Sequence, residues 1–242
     1  MSAAGYENGF GVTLHPERLA QPLQRRAATT YFANSMSDLF HEDVPDEFID
    51  SVVAVMAATR RHTYQILTKR AIRMAQYAIG LRSAEGQTRL DAARRAIGCP
   101  ISTDGSPVWP LPNVWLGVSV EDRKYGVPRI SHLRRTPAAV RFLSIEPLLG
   151  DVGTLNLSRI DWVIVGGESG ANARRMLPVW AENVQRQAVA QGVRFFFKQW
   201  GAWGADGVRR AKKRNGRELG GRRWDEFPVA CPDDTQGELV GG

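Results

Sequence analysis

Asp161 to Ser169 reads DWVIVGGES, four apolar residues running straight into two glycines, a glutamate and a serine. Five more stretches share this plan: TYFANSMSD (30–38), TYQILTK (63–69), VWLGVSVE (114–121), VRFLSIEP (140–147) and VRFFFKQW (193–200). Continuous apolar runs rich in Val, Ile, Phe and Tyr suit strands buried on both faces of a parallel sheet. Each turns polar only at its C-terminal end.

The intervening segments carry a helical period. In PDEFIDSVVAVMAAT (45–59), Phe48, Ile49, Val52, Val53 and Met56 share one face, with Pro45 and acidic residues at the start. PVWAENVQRQAVAQG (178–192) repeats the design, entered at Pro178 and closed by Gly192. KRAIRMAQYAIGL (69–81) and VPRISHLRR (127–135) are shorter helix candidates. The long connection from Ala71 to Asn113 has room for two helices, the second around TRLDAARRAIG (88–98), and then the Gly/Pro-rich loop CPISTDGSPVWPLPN (99–113). That loop is either a lid or a surface insertion.

Alternating strands and helices give an α/β fold with right-handed crossovers, either an open doubly wound sheet or a (β/α) barrel. Six strand ends place Asp38, Lys69, Glu121, Glu146, Glu168 and Lys198 together, which favours a barrel gathering its chemistry at one mouth. Only six strands are clear, so the expected architecture is a partial (β/α) TIM-type barrel with mostly parallel strands.

The mouth residues define the candidate site. Glu121, Glu146 and Glu168 suit acid/base work or an amine, Lys69 and Lys198 suit an anion, and together they equally suit a neutralising ring of salt bridges. Gly166 and Gly167 allow either a close ligand or a sharp turn, and the spacing of GGESG does not match a dinucleotide loop. Ser119 and Ser169 have no histidine at a strand end to activate them. His41, Glu42 and Asp43 are explained by a helix start, and no metal site is expected. Phe195, Phe196, Phe197, Trp200 and Trp203 read as core or as a stacking wall around Lys198 and Gln199.

The net charge of +7 is unevenly placed. Between Trp203 and Trp224, eight basic residues (Arg209, Arg210, Lys212, Lys213, Arg214, Arg217, Arg222, Arg223) face two acidic ones, and the stretch from Asp225 onward carries −5. Segment 209–223 is therefore either a solvated hairpin or a phosphate-backbone contact. The expected division is a barrel over 1–202 and a basic, then acidic, extension over 203–242. No apolar run approaches the ~18 residues of a membrane span, and no signal peptide is evident, so the expected compartment is the cytoplasm. Cys99 and Cys231, the two cysteines, fit no disulfide or metal pattern. Composition does not specify an oligomeric state.

Taken in order, VTLHPERL, FANSMSDLFHEDVPDEFI, QILTKR, LPNVWLGVSVED, RFLSIEPLLG, DWVIVGGESG, FFFKQWG and GRELGGRRWDEFP resemble the phage Gp37/Gp68 family, a domain of unknown function. The resemblance covers nearly the whole chain. It implies a barrel like that of radical S-adenosylmethionine enzymes, whose members carry an N-terminal three-cysteine loop for a 4Fe-4S cluster. Neither Cys99 nor Cys231 matches that loop. The expectation is therefore an N-terminally truncated member, lacking the first strand and cysteine loop and inactive alone. The complete form would bind cluster and S-adenosylmethionine, with Glu121, Glu146 and Glu168 as cofactor or substrate contacts. The alternatives are a non-catalytic nucleic-acid-associated phage protein binding through segment 209–223, and an inactive remnant.

Overall fold

The computed structural model describes residues 11–33, 37–98 and 109–228. Its frame is a six-stranded sheet of β1 (Thr30–Ala33), β2 (Thr63–Thr68), β3 (Val114–Ser119), β4 (Val140–Ile145), β5 (Trp162–Gly166) and β6 (Arg194–Gln199). All neighbours are parallel, and spatial order equals chain order. A doubly wound sheet reverses its order at a switch point. This one never does, so its crossovers stack on one face and the sheet curls into a half-barrel.

Helices α2 (Asp46–Ala58), α3 (Ala71–Gly80), α4 (Ala84–Ala96), α5 (Val127–Arg135) and α6 (Pro178–Ala190) cover the convex face, preceded by a short 3-10 turn and α1 (Ala20–Gln24). Of the expected apolar face of α2, Ile49, Val53 and Met56 are buried and Phe48 and Val52 pack half-buried against the core, and Asp46 and Glu47 occupy its positive end. Ser83 caps α4 by accepting from the Gly86 amide at 3.1 Å. Pro178 starts α6, and Gly192, at φ +69°, turns the chain into β6.

Alternation then sorts each strand. Ile66, Leu116, Val118, Leu143, Ile145, Val163 and Val165 join the main core beneath the helices. Trp115, Val140, Phe142, Trp162 and Ile164 form a second cluster on the concave face, with Leu67 and Phe196 against it. Gly117 makes room there, because a Cβ at its position would overlap the Phe142 ring.

Two features are invisible to periodicity. The β4–β5 connection holds no helix; Leu148, Val152, Leu155, Leu157 and Ile160 are buried along it. Side-chain amides of α6 supply its backbone partners: Gln187 accepts from Leu155 N (2.7 Å) and donates to Gly153 O (2.9 Å), and Gln191 does the same for Leu157 N and Leu155 O. The segment after Ala202 seats on the free edge of β6. There Phe197 N donates to Trp224 O, Phe196 bridges Asp225, and Trp162 Nε1 donates to Glu226 O at 2.7 Å. Its own small hairpin pairs β7 (Glu218–Leu219) with β8 (Arg222–Arg223).

Candidate functional site at the rim of the half-barrel

The pairing register arranges the concave side chains in steps. Leu67, Gly117, Phe142 and Trp162 make an apolar row; Ser119 pairs with Ser144 and Ser144 with Ile164 one step higher. Two residues further along the strands come Glu121, Glu146 and Gly166, followed by Glu168. The floor is thus aromatic and the rim hydroxylic and charged, because side chains two apart point the same way.

Each rim carboxylate already holds a cation. Glu121, 8% exposed, accepts from Lys69 Nζ at 2.7 Å and Arg129 at 2.8 Å. Burial alone pushes its pKa up, but the hydrogen bonds from Lys69, its own amide and Arg129 outweigh burial and leave it lowered. Glu146 accepts from Lys198 Nζ at 2.9 Å and Gln199 Nε2 at 2.8 Å. Glu168 takes a fork from Arg174 Nε and Nη2 (2.9 and 2.8 Å) and the Arg174 amide at 2.8 Å, and these bonds hold its pKa down at about 2. Asp38 receives Thr68 Oγ1 (2.6 Å), the Lys69 amide (3.0 Å) and Arg70 (3.2 Å), so it tethers the chain beyond β1 to the end of β2.

The rim therefore brings Lys69, Glu121, Glu146, Glu168 and Lys198 together as separate ion-paired clusters, Lys69 and Arg129 on Glu121, Lys198 on Glu146 and Arg174 on Glu168, with Asp38 at the β1 end. Charges arranged this way are oriented before any ligand arrives. Sequence reading missed Arg129 and Gln199 as partners. Arg129 sits one turn into a weakly patterned helix, and nothing local shows that it reaches back to Glu121. Gln199 follows from a register shift between Val165 and Gly166 that pairs Gly166 with Gln199. Its Nε2 donates to Glu146, and its own Oε1 is buried with no hydrogen-bond partner.

The glycines of GGESG serve loop packing. A Cβ on Gly167 would overlap the Trp200 carbonyl, and one on Gly201, at φ +81°, the Glu168 carbonyl. The two loops lie backbone to backbone, with Ala202 N donating to Glu168 O at 2.8 Å. At Gly166 the space is taken by the Glu146 side chain, 3.0 Å from where a Cβ would stand. Ser169 is exposed, and Ser119 and Ser144 are buried. Phe195, Phe197 and Trp200 are core, whereas Phe196 faces the concave cluster.

The basic segment divides in two. Arg209 donates to Gly170 O and Ala171 O and lies over Trp203; Arg210 forks onto Asp206; Arg217 binds Asp225; Arg222 covers the Trp224 ring. Lys212, Lys213 and Arg214, in the 3-10 turn Lys212–Asn215, and Arg223 are exposed and form no ion pair among the described residues.

Among the described residues no group of three His, Cys, Asp or Glu side chains is placed to hold a metal ion. His41 stands 3.6 to 3.8 Å from Glu42 and Asp43, a local cluster at the entry to α2. Cys99 and Cys231 lie outside the described residues, as do Asp233, Asp234 and Glu238 and most of the loop after Gly98. No described helix is long and apolar enough to cross a membrane.

Fold and rim define an α/β protein of the partial (β/α)-barrel class with a charged mouth at the C-terminal ends of its strands. Residues 2–228 match the family described as a protein of unknown function, DUF5131, and the chain belongs to that family. Comparison with curated proteins and with solved structures gives no match.

Proposed function

We propose that the rim binds a zwitterionic, amino-acid-like small molecule, and that S-adenosylmethionine, the cofactor implied by the resemblance to radical enzymes, is that ligand. The observation that carries this is the row of three carboxylates, Glu121, Glu146 and Glu168, beyond the ends of β3, β4 and β5, each paired with a cation, with an unpartnered amide oxygen on Gln199 close by. An ammonium entering between Glu146 and Gln199 exchanges one ion pair for another. Lys198, released from Glu146, then meets the ligand's carboxylate. Partner exchange of this kind avoids leaving a buried charge unpaired.

The described residues supply no thiolate, so they do not fit an iron-sulfur cluster, and no radical step is derived for them. What they fit is the amino-acid part of the cofactor. Titration calorimetry with S-adenosylmethionine, S-adenosylhomocysteine and methionine tests the reading. Saturable heat with the first two, weakened about tenfold by Glu146→Gln or Lys198→Met, is expected when one charge-assisted hydrogen bond is removed. Absence of binding, or binding indifferent to both changes, overturns it.

A second reading rests on a separate observation, the four exposed cations Lys212, Lys213, Arg214 and Arg223, which form no ion pair among the described residues. It takes this surface as a nucleic-acid contact. Replacing all four by Ala should lower the salt slope of duplex binding by about 0.9 for each phosphate no longer neutralised. Salt-insensitive or absent binding removes this reading.

A further inference from the structure

An open cavity of about 570 Å³ lies beside the rim, between the first turn of α3 and α5. Lys69, Arg70, Arg73, Arg129 and His132 line it, and no carboxylate does. The counter-charges lie outside the lining: Glu121 pairs with Lys69 and Arg129, Asp38 and Glu42 with Arg70, and Asp46 with Arg73. Arg73 is fixed further by the His41 and Val44 carbonyls. The guanidinium groups are thus held by acids outside the lining, and the charged groups of the lining itself are all basic. No side chain caps α3, so the positive end of its dipole adds to the field. The volume suits a small ligand and exceeds what a lone oxyanion fills.

We infer that this cavity is an oxyanion subsite that takes the phosphoryl or diphosphoryl end of a ligand. Lys69 and Arg129 belong to both regions through Glu121, so the remainder of the ligand reaches the rim. The inference rests on the reading of the rim as a ligand site and adds, beside S-adenosylmethionine, which has no phosphoryl group, a second molecule with an anionic end. It is tested without S-adenosylmethionine, so the two fail separately.

The test uses the full chain with inorganic phosphate, pyrophosphate and adenosine diphosphate at fixed ionic strength. Binding is followed by calorimetry and by phosphorus NMR line broadening. Pyrophosphate should bind competitively with phosphate and better than chloride. Ile72→Glu and Gln76→Glu place a carboxylate in the lining from exposed positions of α3 that carry no ion pair. Each should weaken pyrophosphate about tenfold through like-charge repulsion, with melting temperature unchanged. Tighter binding of the nucleotide than of pyrophosphate names a nucleotide as the source, and equal binding names a free diphosphate. Pyrophosphate that binds no better than chloride, ignores both variants, or is lost instead on replacing Lys212, Lys213 and Arg214 overturns the inference.

Discussion

The two faces of the sheet are built from alternate residues of the same six strands, yet they are made differently. Over β3, β4 and β5 the convex face is branched aliphatic, and Val118, Leu143, Ile145, Val163 and Val165 are sealed under helices, with Tyr64, Phe195 and Phe197 added by β2 and β6. The concave face mixes rings with a glycine and two buried serines, and it ends in carboxylates whose cations come from other elements. Burial of each convex side chain contributes about 1.5–3 kcal/mol whatever occupies the rim. The rim instead holds paired charges in register. Strand parity therefore separates the apolar core from the charged rim.

The largest effect expected is on the convex face. Leu143→Ala should cost about 2–5 kcal/mol in denaturant unfolding, because the site is fully buried and closed on all sides. A cost no larger than that of rim substitutions would break the comparison. On the concave face, Gly117→Ala should cost about 1–3 kcal/mol, since the new methyl meets the Phe142 ring. Restoration by a compensating Phe142→Leu, measured in the same unfolding experiment, would show that the ring is the obstacle.

Glu121→Gln comes next, at about 1–2 kcal/mol for weakened charge-assisted bonds to Lys69 and Arg129. It should weaken rim ligands more than it lowers stability. The smallest effect is at Glu168, and it is best read as a pH dependence. Its carboxyl is lowered from 4.5 to about 2 in the fold, so its stabilisation is fully present above pH 4.5 and is lost as pH falls through about 2. The stability difference between the chain and Glu168→Gln should be flat above that window and vanish at its acid end. A difference that grows on acidification would contradict the Arg174 fork.

The strands were legible because each carries its own signal. The runs beginning at Thr63, Val114 and Val140 become β2, β3 and β4 with the same first residue, and Pro178 marks the start of α6 as expected. The helix-free β4–β5 connection was not legible, since Gln187 and Gln191 reveal their use only when α6 lies alongside. GGESG was ambiguous for a similar reason: whether Gly167 faces a ligand or a backbone depends on Trp200, far along the chain.

By itself the sequence determined six strands, their helices and the collection of charged residues at one set of strand ends, because patterns of period two and 3.6 are local and each end is read from its own segment. Tertiary structure decided that the sheet winds in one direction into a half-barrel, that Lys69 and Arg129 share Glu121, that Gln199 meets Glu146, and that the cations around α3 line one cavity. Those outcomes depend on register and on contacts between distant residues, which alternation along one strand does not encode.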